Sequence, residues 1–178
     1  MAKSPASLSL PFPLPPEVPQ PASQAKAEIP QPLWLALVFP KLALEVHDDQ
    51  PCDIPAVAVK GYRGRSAVHT ASQLAEARGV SANMAVNAAY ALCPNLKVYP
   101  VNQQAQLDRL HQLASWAEQF TSKVNVQLPQ ALLLEVRGSL KLFGGLSSIQ
   151  EQIWQQLTEQ WRYSFQSAVT PTPMASLL

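Results

Sequence analysis

The sequence predicts an α+β fold: a mixed sheet with helices on one side. Three observations carry this. Short runs of bulky apolar residues alternate with stretches whose apolar residues recur at helical spacing, in the order β-α-β-β-α-α-β-α-β-β-α-β. The 178 residues are 47% apolar, enough for one cored domain and not comfortably two. Nine of the 17 prolines fall in residues 1–32, so the folded part is predicted over 33–178. Proline removes a backbone donor and restricts its neighbour, so 1–32 reads as a disordered, Pro-rich tail. Its "PFPLPP" has a superficial likeness to an SH3 ligand; a solvated tail is the simpler reading.

From Leu33 each element has a local reason. "LWLALV" has the length and bulk of a buried strand. Pro40 suits the first turn of a helix, and Phe39, Leu42, Ala43 and Val46 follow i, i+3, i+4, i+7. "PAVAVKGYRGRSAVHTA" reads as two strands around a turn bearing Gly61 and Gly64. "SQLAEAR" is a short helix ended by Gly79, and "NMAVNAAYALC" is a second helix stopped by Pro94. "LKVYPV" is a strand. Residues 103–121 form a long helix with Leu107, Leu110, Ala114, Ala117 and Phe120 on one side. "KVNVQL" and "ALLLEV" pair across Pro129-Gln130. Ser148 and Glu151 have the spacing of a capping box ahead of a last helix, whose stripe is Ile149, Ile153, Leu157 and Trp161. "SFQSAVT" closes the fold as a strand. Trp116, Trp154 and Trp161 sit at helical spacing and read as core.

Charge and motifs exclude more than they assign. Thirteen basic and 12 acidic residues give a net charge of +1, without the basic excess of a dedicated nucleic-acid binder. Cys52 and Cys93 lie far apart and outside metal-ligand spacing, so a buried thiol is expected at each and a reducing, cytoplasmic setting fits. No run is long and apolar enough for a membrane span, and prolines interrupt any secretory h-region. His47, His69 and His111 lie on separate elements. No nucleophile elbow or phosphate loop occurs. Gly144-Gly145 could suit an anion at a helix start, but a tight strand-to-helix turn explains it as well. Asp48-Asp49 reads as a solvated acidic pair.

Three segments carry a sharper pattern: "LWLALVFPKLALEV", "AEARGVSANMAVNAAYALCPNLKVYP" and "LLLEVRGSLKLFGG". In this order they resemble the palm and fingers of Y-family translesion DNA polymerases, across about residues 33–178. The middle segment is the most specific: AR, a GV-x-x-x-M step, an alanine-rich helix, then CP-x-L. The resemblance implies a Y-family palm with a small fingers insertion. It also implies where catalytic groups would stand. The metal-facing positions of the first motif align with Ala36 and Val38, and the acidic pair of the third with Gln130 and Ala131. The sugar-sensing aromatic aligns with Lys41. The tyrosine and arginine that hold the triphosphate align with Gln73 and Glu76, and the lysine after the last strand with Pro173. Glu135 is retained, at a non-catalytic acidic position.

Two-metal phosphoryl transfer needs carboxylates to hold cations about 3.5–4 Å apart. Alanine, valine and glutamine carry no such charge, and a glutamate at 76 would repel the triphosphate that an arginine clamps. The expectation is a pseudo-polymerase: no catalytic residue, no nucleotide-binding residue, no metal and no cofactor. Within the family, "LWLALVFPKLALE" with "LLLEVRGSLKLFGG" is most similar to ImuB-type members of the bacterial SOS mutasome. These imply a scaffold in DNA repair and SOS mutagenesis whose partners are an ImuA-like protein, an error-prone DNA polymerase and the sliding clamp. The family's thumb, little finger and clamp motif have no counterpart before Leu178. A fragment, a truncated paralogue or a decayed gene is therefore expected, with weak DNA contact at most. An active lesion-bypass polymerase is the disfavoured alternative.

Overall fold

The computed structural model describes residues 31–47, 53–62 and 65–172. The expectations for the tail over residues 1–30, Asp48-Asp49, Cys52, Gly64 and Pro173 lie outside them. In chain order the elements are β1 (Trp34–Val38), α1 (Leu42–Glu45), β2 (Ala56–Tyr62), β3 (Arg65–Ala71), α2 (Gln73–Glu76), α3 (Val86–Leu92) and β4 (Lys97–Pro100). There follow α4 (Gln103–Ala117), β5 (Val124–Gln127), β6 (Ala131–Glu135), α5 (Leu140–Phe143), α6 (Leu146–Trp154) and β7 (Gln166–Thr170). This is the predicted mixed α+β order, with one short extra helix, α5, after β6.

Two sheets divide the strands. The larger runs β5-β6-β1-β7, and the smaller β3-β2-β4. β1 is antiparallel to both its neighbours, with Ala36 opposite Leu133 on one side and Ala168 on the other. Side chains alternate along each strand, so paired rows share a face. Leu35, Leu37 and Phe39 fall on one face with Leu132, Leu134 and Val136, and Leu110, Leu113 and Ala117 of α4 and Ile149 and Ile153 of α6 pack against them. Helices thus cover that face. The opposite face carries the rows Asn125–Leu133–Ala36–Ala168 and Gln127–Ala131–Val38–Gln166.

The four-residue α1 joins the sheets. Leu42 enters the core of the larger sheet. Ala43 and Leu44 pack on Ala56 and Ala58 of β2. Small residues on β2 let the backbones approach, so the smaller sheet is seated on the helix rather than tethered by a loop. Ser72 adds a polar tie: its Oγ accepts from the Ala56 N–H (3.0 Å) and, as the N-cap of α2, from the Ala75 N–H (3.4 Å).

Four local expectations need correction. The buried side of α4 is Gln106, Leu110, Leu113 and Ala117; Leu107 and Ala114 are only half-buried, and the helix ends at Ala117 rather than 121. Gln106 tolerates burial because its amide donates to the Asn102 carbonyl. The capping box does not form. Gly144 (φ 77°) and Gly145 (φ 119°) turn the chain between α5 and α6, so α6 starts at Leu146 and the Ser148 Oγ instead accepts from the Gln152 amide at 3.2 Å. The glycine pair is therefore a helix-to-helix turn, not a strand-to-helix one. Finally, Trp154 and Trp161 are not core: they are 53% and 42% exposed. The chain makes a π turn over Gln155–Gln160, which adds a residue to the repeat and carries Trp161 off the Ile149–Ile153–Leu157 stripe. Trp161 instead lies 5.4 Å from Trp116, whose indole N–H donates to the Gln156 carboxamide at 2.7 Å.

Candidate functional site

The end of β1 and the start of β6 bring the predicted positions together. Val38 lies directly opposite Ala131, and Ala36 is two residues back on the same face. The Phe39 N–H donates to the Gln130 carbonyl at 2.8 Å, which holds the entry to β6 beside the exit from β1. Ala36 and Ala131 are buried, whereas Val38 and Gln130 are half-buried. The row at this end of the opposite face, Gln127–Ala131–Val38–Gln166, contains no carboxylate. Hard divalent cations such as Mg²⁺ take carboxylate and water oxygens. Apolar groups and a carboxamide do not supply that set, so these residues do not fit a metal pair. Among the described residues no group of three His, Cys, Asp or Glu could hold a metal ion.

Two of the residues aligned with nucleotide contacts, Lys41 and Glu76, meet. Lys41 precedes α1, and Glu76 ends α2. Lys41 Nζ lies 2.7 Å from Glu76 Oε2, across 35 residues of sequence and between the two sheets. Lys41 and Gln73 line one cleft of about 620 Å³.

The cleft also holds groups with no motif to announce them. Glu45 accepts from the Ser164 N–H through Oε1 at 2.8 Å, 119 residues away, while its Oε2 is buried without a partner. Burial pushes the Glu45 carboxyl above the usual range, against the opposing pull of the Ser164 hydrogen bond and of Lys41. His47 stacks on Tyr99 with ring centroids 4.6 Å apart, and its Nε2 is also buried and unpartnered. Arg109, also lining the cleft, donates to the Tyr163 hydroxyl. These residues were not legible because α1, α4 and the segment before β7 contribute them from three distant parts of the chain.

Glu45 gives a pH dependence whose sign follows from its raised pKa. The fold favours the neutral acid, so the favourable contribution is complete below the ordinary glutamate pKa and is lost as pH rises through the raised one. Glu45→Gln keeps an oxygen acceptor for Ser164 and removes the charge. It should melt about 2–4 °C above the native chain at pH 7, the shift that about 1 kcal/mol makes in a domain of this size. The gap should close toward pH 4.5 in differential scanning calorimetry. A gap independent of pH would show that Glu45 ionisation is not its source.

A family model described as impB/mucB/samB matches residues 44–178. The chain belongs to the impB/mucB/samB family. The match spans β2 to β7 and most of the cleft. No curated protein matches this impB/mucB/samB chain in sequence. Solved structures agree with the fold. A post-insertion binary complex of Dbh DNA polymerase superposes with TM-score 0.68 at 19% identity, covering 82% of this chain and 44% of that one. The insertion ternary complex of Dbh gives 0.67 with the same identity and coverage. DinB from Sulfolobus solfataricus gives 0.63 at 19% identity, again over 82% and 44%. The larger sheet with its helices therefore has the architecture of a Y-family polymerase palm, and the chain spans less than half the length of those polymerases. No helix among the described residues is long and apolar enough to cross a membrane.

Proposed function

We propose that this impB/mucB/samB chain is a non-catalytic, ImuB-type protein of DNA damage tolerance, acting by interaction rather than by nucleotide transfer. The match to the impB/mucB/samB family model over residues 44–178 supports the damage-tolerance part of this reading. One observation carries the finer reading: where β1 and β6 meet, the facing positions are Val38 and Ala131, flanked by Ala36 and Gln130. Phosphoryl transfer by two metals is charge neutralisation more than covalent chemistry, and these groups cannot neutralise anything. Lys41 and Glu76 support the same reading, because each satisfies the other and neither is left to hold a triphosphate. The fitting partners are an ImuA-like protein, an error-prone polymerase and the sliding clamp, in the cytoplasm, with DNA contact weak at most.

Purified chain should not extend a primer, and Mg²⁺ with dNTP should not raise its melting temperature. A ligand at 100 times its Kd would add about 2.7 kcal/mol, a shift that melting would show plainly. Mg²⁺-dependent extension by a preparation free of other polymerases would end this reading. Loss of damage-induced mutagenesis in cells lacking the gene, restored by the native protein, is the positive counterpart.

A further inference from the structure

β7 is an edge of the larger sheet: β1 lies on one side of it, and among the described residues no strand lies on the other. Hydrogen bonding along β1 fixes what that edge offers. The Phe39 N–H donates to the Gln130 carbonyl and the Leu33 carbonyl accepts from the Val136 N–H, so Leu35 and Leu37 between them face β6. Trp34, Ala36 and Val38 then face β7, opposite Thr170, Ala168 and Gln166. Ser167 and Val169, the alternate residues, direct their N–H and C=O groups to the open edge. Their side chains share a face with Leu37 and Leu35, the face that the helices cover. Beside β7 that cover is incomplete. A groove of about 410 Å³ remains, lined by Leu35, Leu37, Ile153, Trp154, Phe165 and Ser167. Free edge groups beside an apolar groove fit an extended segment with apolar side chains at every second position.

One stretch of this chain has that pattern. "LSLPFPL", residues 8–14, puts Leu8, Leu10, Phe12 and Leu14 at alternate positions, with Pro11 and Pro13 between them and Pro15 next in the same series. It lies outside the described residues. In a strand, successive residues direct their backbone groups to opposite sides, so the prolines fall on one side and the apolar residues on the other. We propose that residues 8–14 add to the larger sheet as an antiparallel strand on β7, with Leu10 and Phe12 seated in the groove. Residues that exchange hydrogen bonds across an antiparallel pair share a face, so those bonded to Ser167 and Val169 point at the groove. In the parallel direction the same hydrogen-bonding side would put the prolines over the groove instead. Proline is tolerated in a strand where its missing donor would have met solvent, which is where the antiparallel direction leaves all three. The new edge is then poor in donors and does not invite a further strand. The connection is long enough. Residues 15–32 reach about 60 Å when extended, against about 17 Å for the length of β7 and about 10 Å for two strand spacings. The proline content that argues against a helix or an interior strand thus fits this one position. The seat goes beyond the non-catalytic reading and does not depend on it.

Site-resolved amide hydrogen exchange of the full chain, read by NMR, tests this. The Ser167 and Val169 amides should exchange at least about tenfold more slowly in the native chain than in Leu10→Ser combined with Phe12→Ser. The Leu35 and Leu37 amides face β6, report the sheet itself and should be unchanged. Ser9→Pro should keep the protection, because the residue 9 N–H faces solvent, whereas Leu10→Pro should lose it. Should the double variant also loosen Leu35 and Leu37, the contrast between the two proline variants decides. Fast exchange at Ser167 and Val169 in the native chain overturns the proposal. Protection that the double variant keeps also overturns it and gives the edge to another occupant, such as residues 173–178. Equal loss in both proline variants overturns the assigned sidedness. Protection that falls on dilution, with dimers seen by light scattering, gives the strand to a second copy and overturns the intramolecular seat. Primer extension, if found, would end the non-catalytic reading without deciding this one.

Discussion

Phe39→Ala should destabilise the fold by about 3–5 kcal/mol, the range for truncating a buried aromatic. Phe39 is fully buried at the end of β1. Its ring meets Tyr163 edge-on with centroids 6.0 Å apart and lies 6.3 Å from Phe165. The substitution removes transfer free energy, leaves a cavity and breaks an aromatic pair at once. It acts where the β1 exit, the β6 entry and the segment leading into β7 are held together, since the Phe39 N–H also bonds Gln130. A domain with total stability of about 5–15 kcal/mol would lose a third or more. Urea unfolding followed by tryptophan fluorescence measures it. Leu142→Ala is the control: Leu142 is 82% exposed, and its loss should change stability by no more than about 0.5 kcal/mol. A Phe39→Ala cost below that of the control would mean that Phe39 does not organise this end of the sheet.

The second large effect comes from putting carboxylates at the facing positions. Val38→Asp with Ala131→Glu should destabilise the metal-free chain by about 2 kcal/mol or more. Like charges directly opposite on paired strands repel, and Ala131 is almost fully buried, so its replacement must desolvate an ionised group. Mn²⁺ or Mg²⁺ should restore much of the loss, because a cation bound between the two is worth about 2.7 kcal/mol at 100 times its Kd. The native chain should show no such metal response. Thermal melts of both proteins with and without Mn²⁺ decide it. Destabilisation that no divalent cation relieves would show that these two positions do not face a shared metal-sized space, and the alignment of Ala131 with an acidic ligand would fall.

The larger sheet was partly legible. "LWLALV" and "ALLLEV" declare strands by bulk and length, and their alternation assigns Leu35, Leu37, Leu132 and Leu134 to one face once the register is known. The register itself was not legible. Hydrogen bonds between distant strands set it, and only they put Val38 opposite Ala131. The same limit explains the tryptophans. Helical spacing put Trp154 and Trp161 in the core, but a π turn is a local change of winding that side-chain patterning does not announce. The capping box failed for a related reason. Ser148 and Glu151 have its spacing, yet two adjacent glycines in left-handed conformation start the helix three residues earlier.

By itself the sequence determined which chemical groups this protein has to work with: alanine, valine and glutamine at the aligned metal positions, a lysine and a glutamate at the aligned nucleotide positions, and apolar periodicity sufficient to build strands under helices. Side-chain identity is a local, covalent property, and periods of two and 3.6 residues are local consequences of backbone geometry. Only the tertiary structure decided which of those groups meet. Lys41 finds Glu76 because α1 seats the smaller sheet on the larger one, and Glu45 is buried because Ser164 arrives from 119 residues away. Such encounters depend on packing between elements, where small residues such as Ala56 and Ala58 allow close approach and burial alters the cost of charge, and no window of sequence contains both partners.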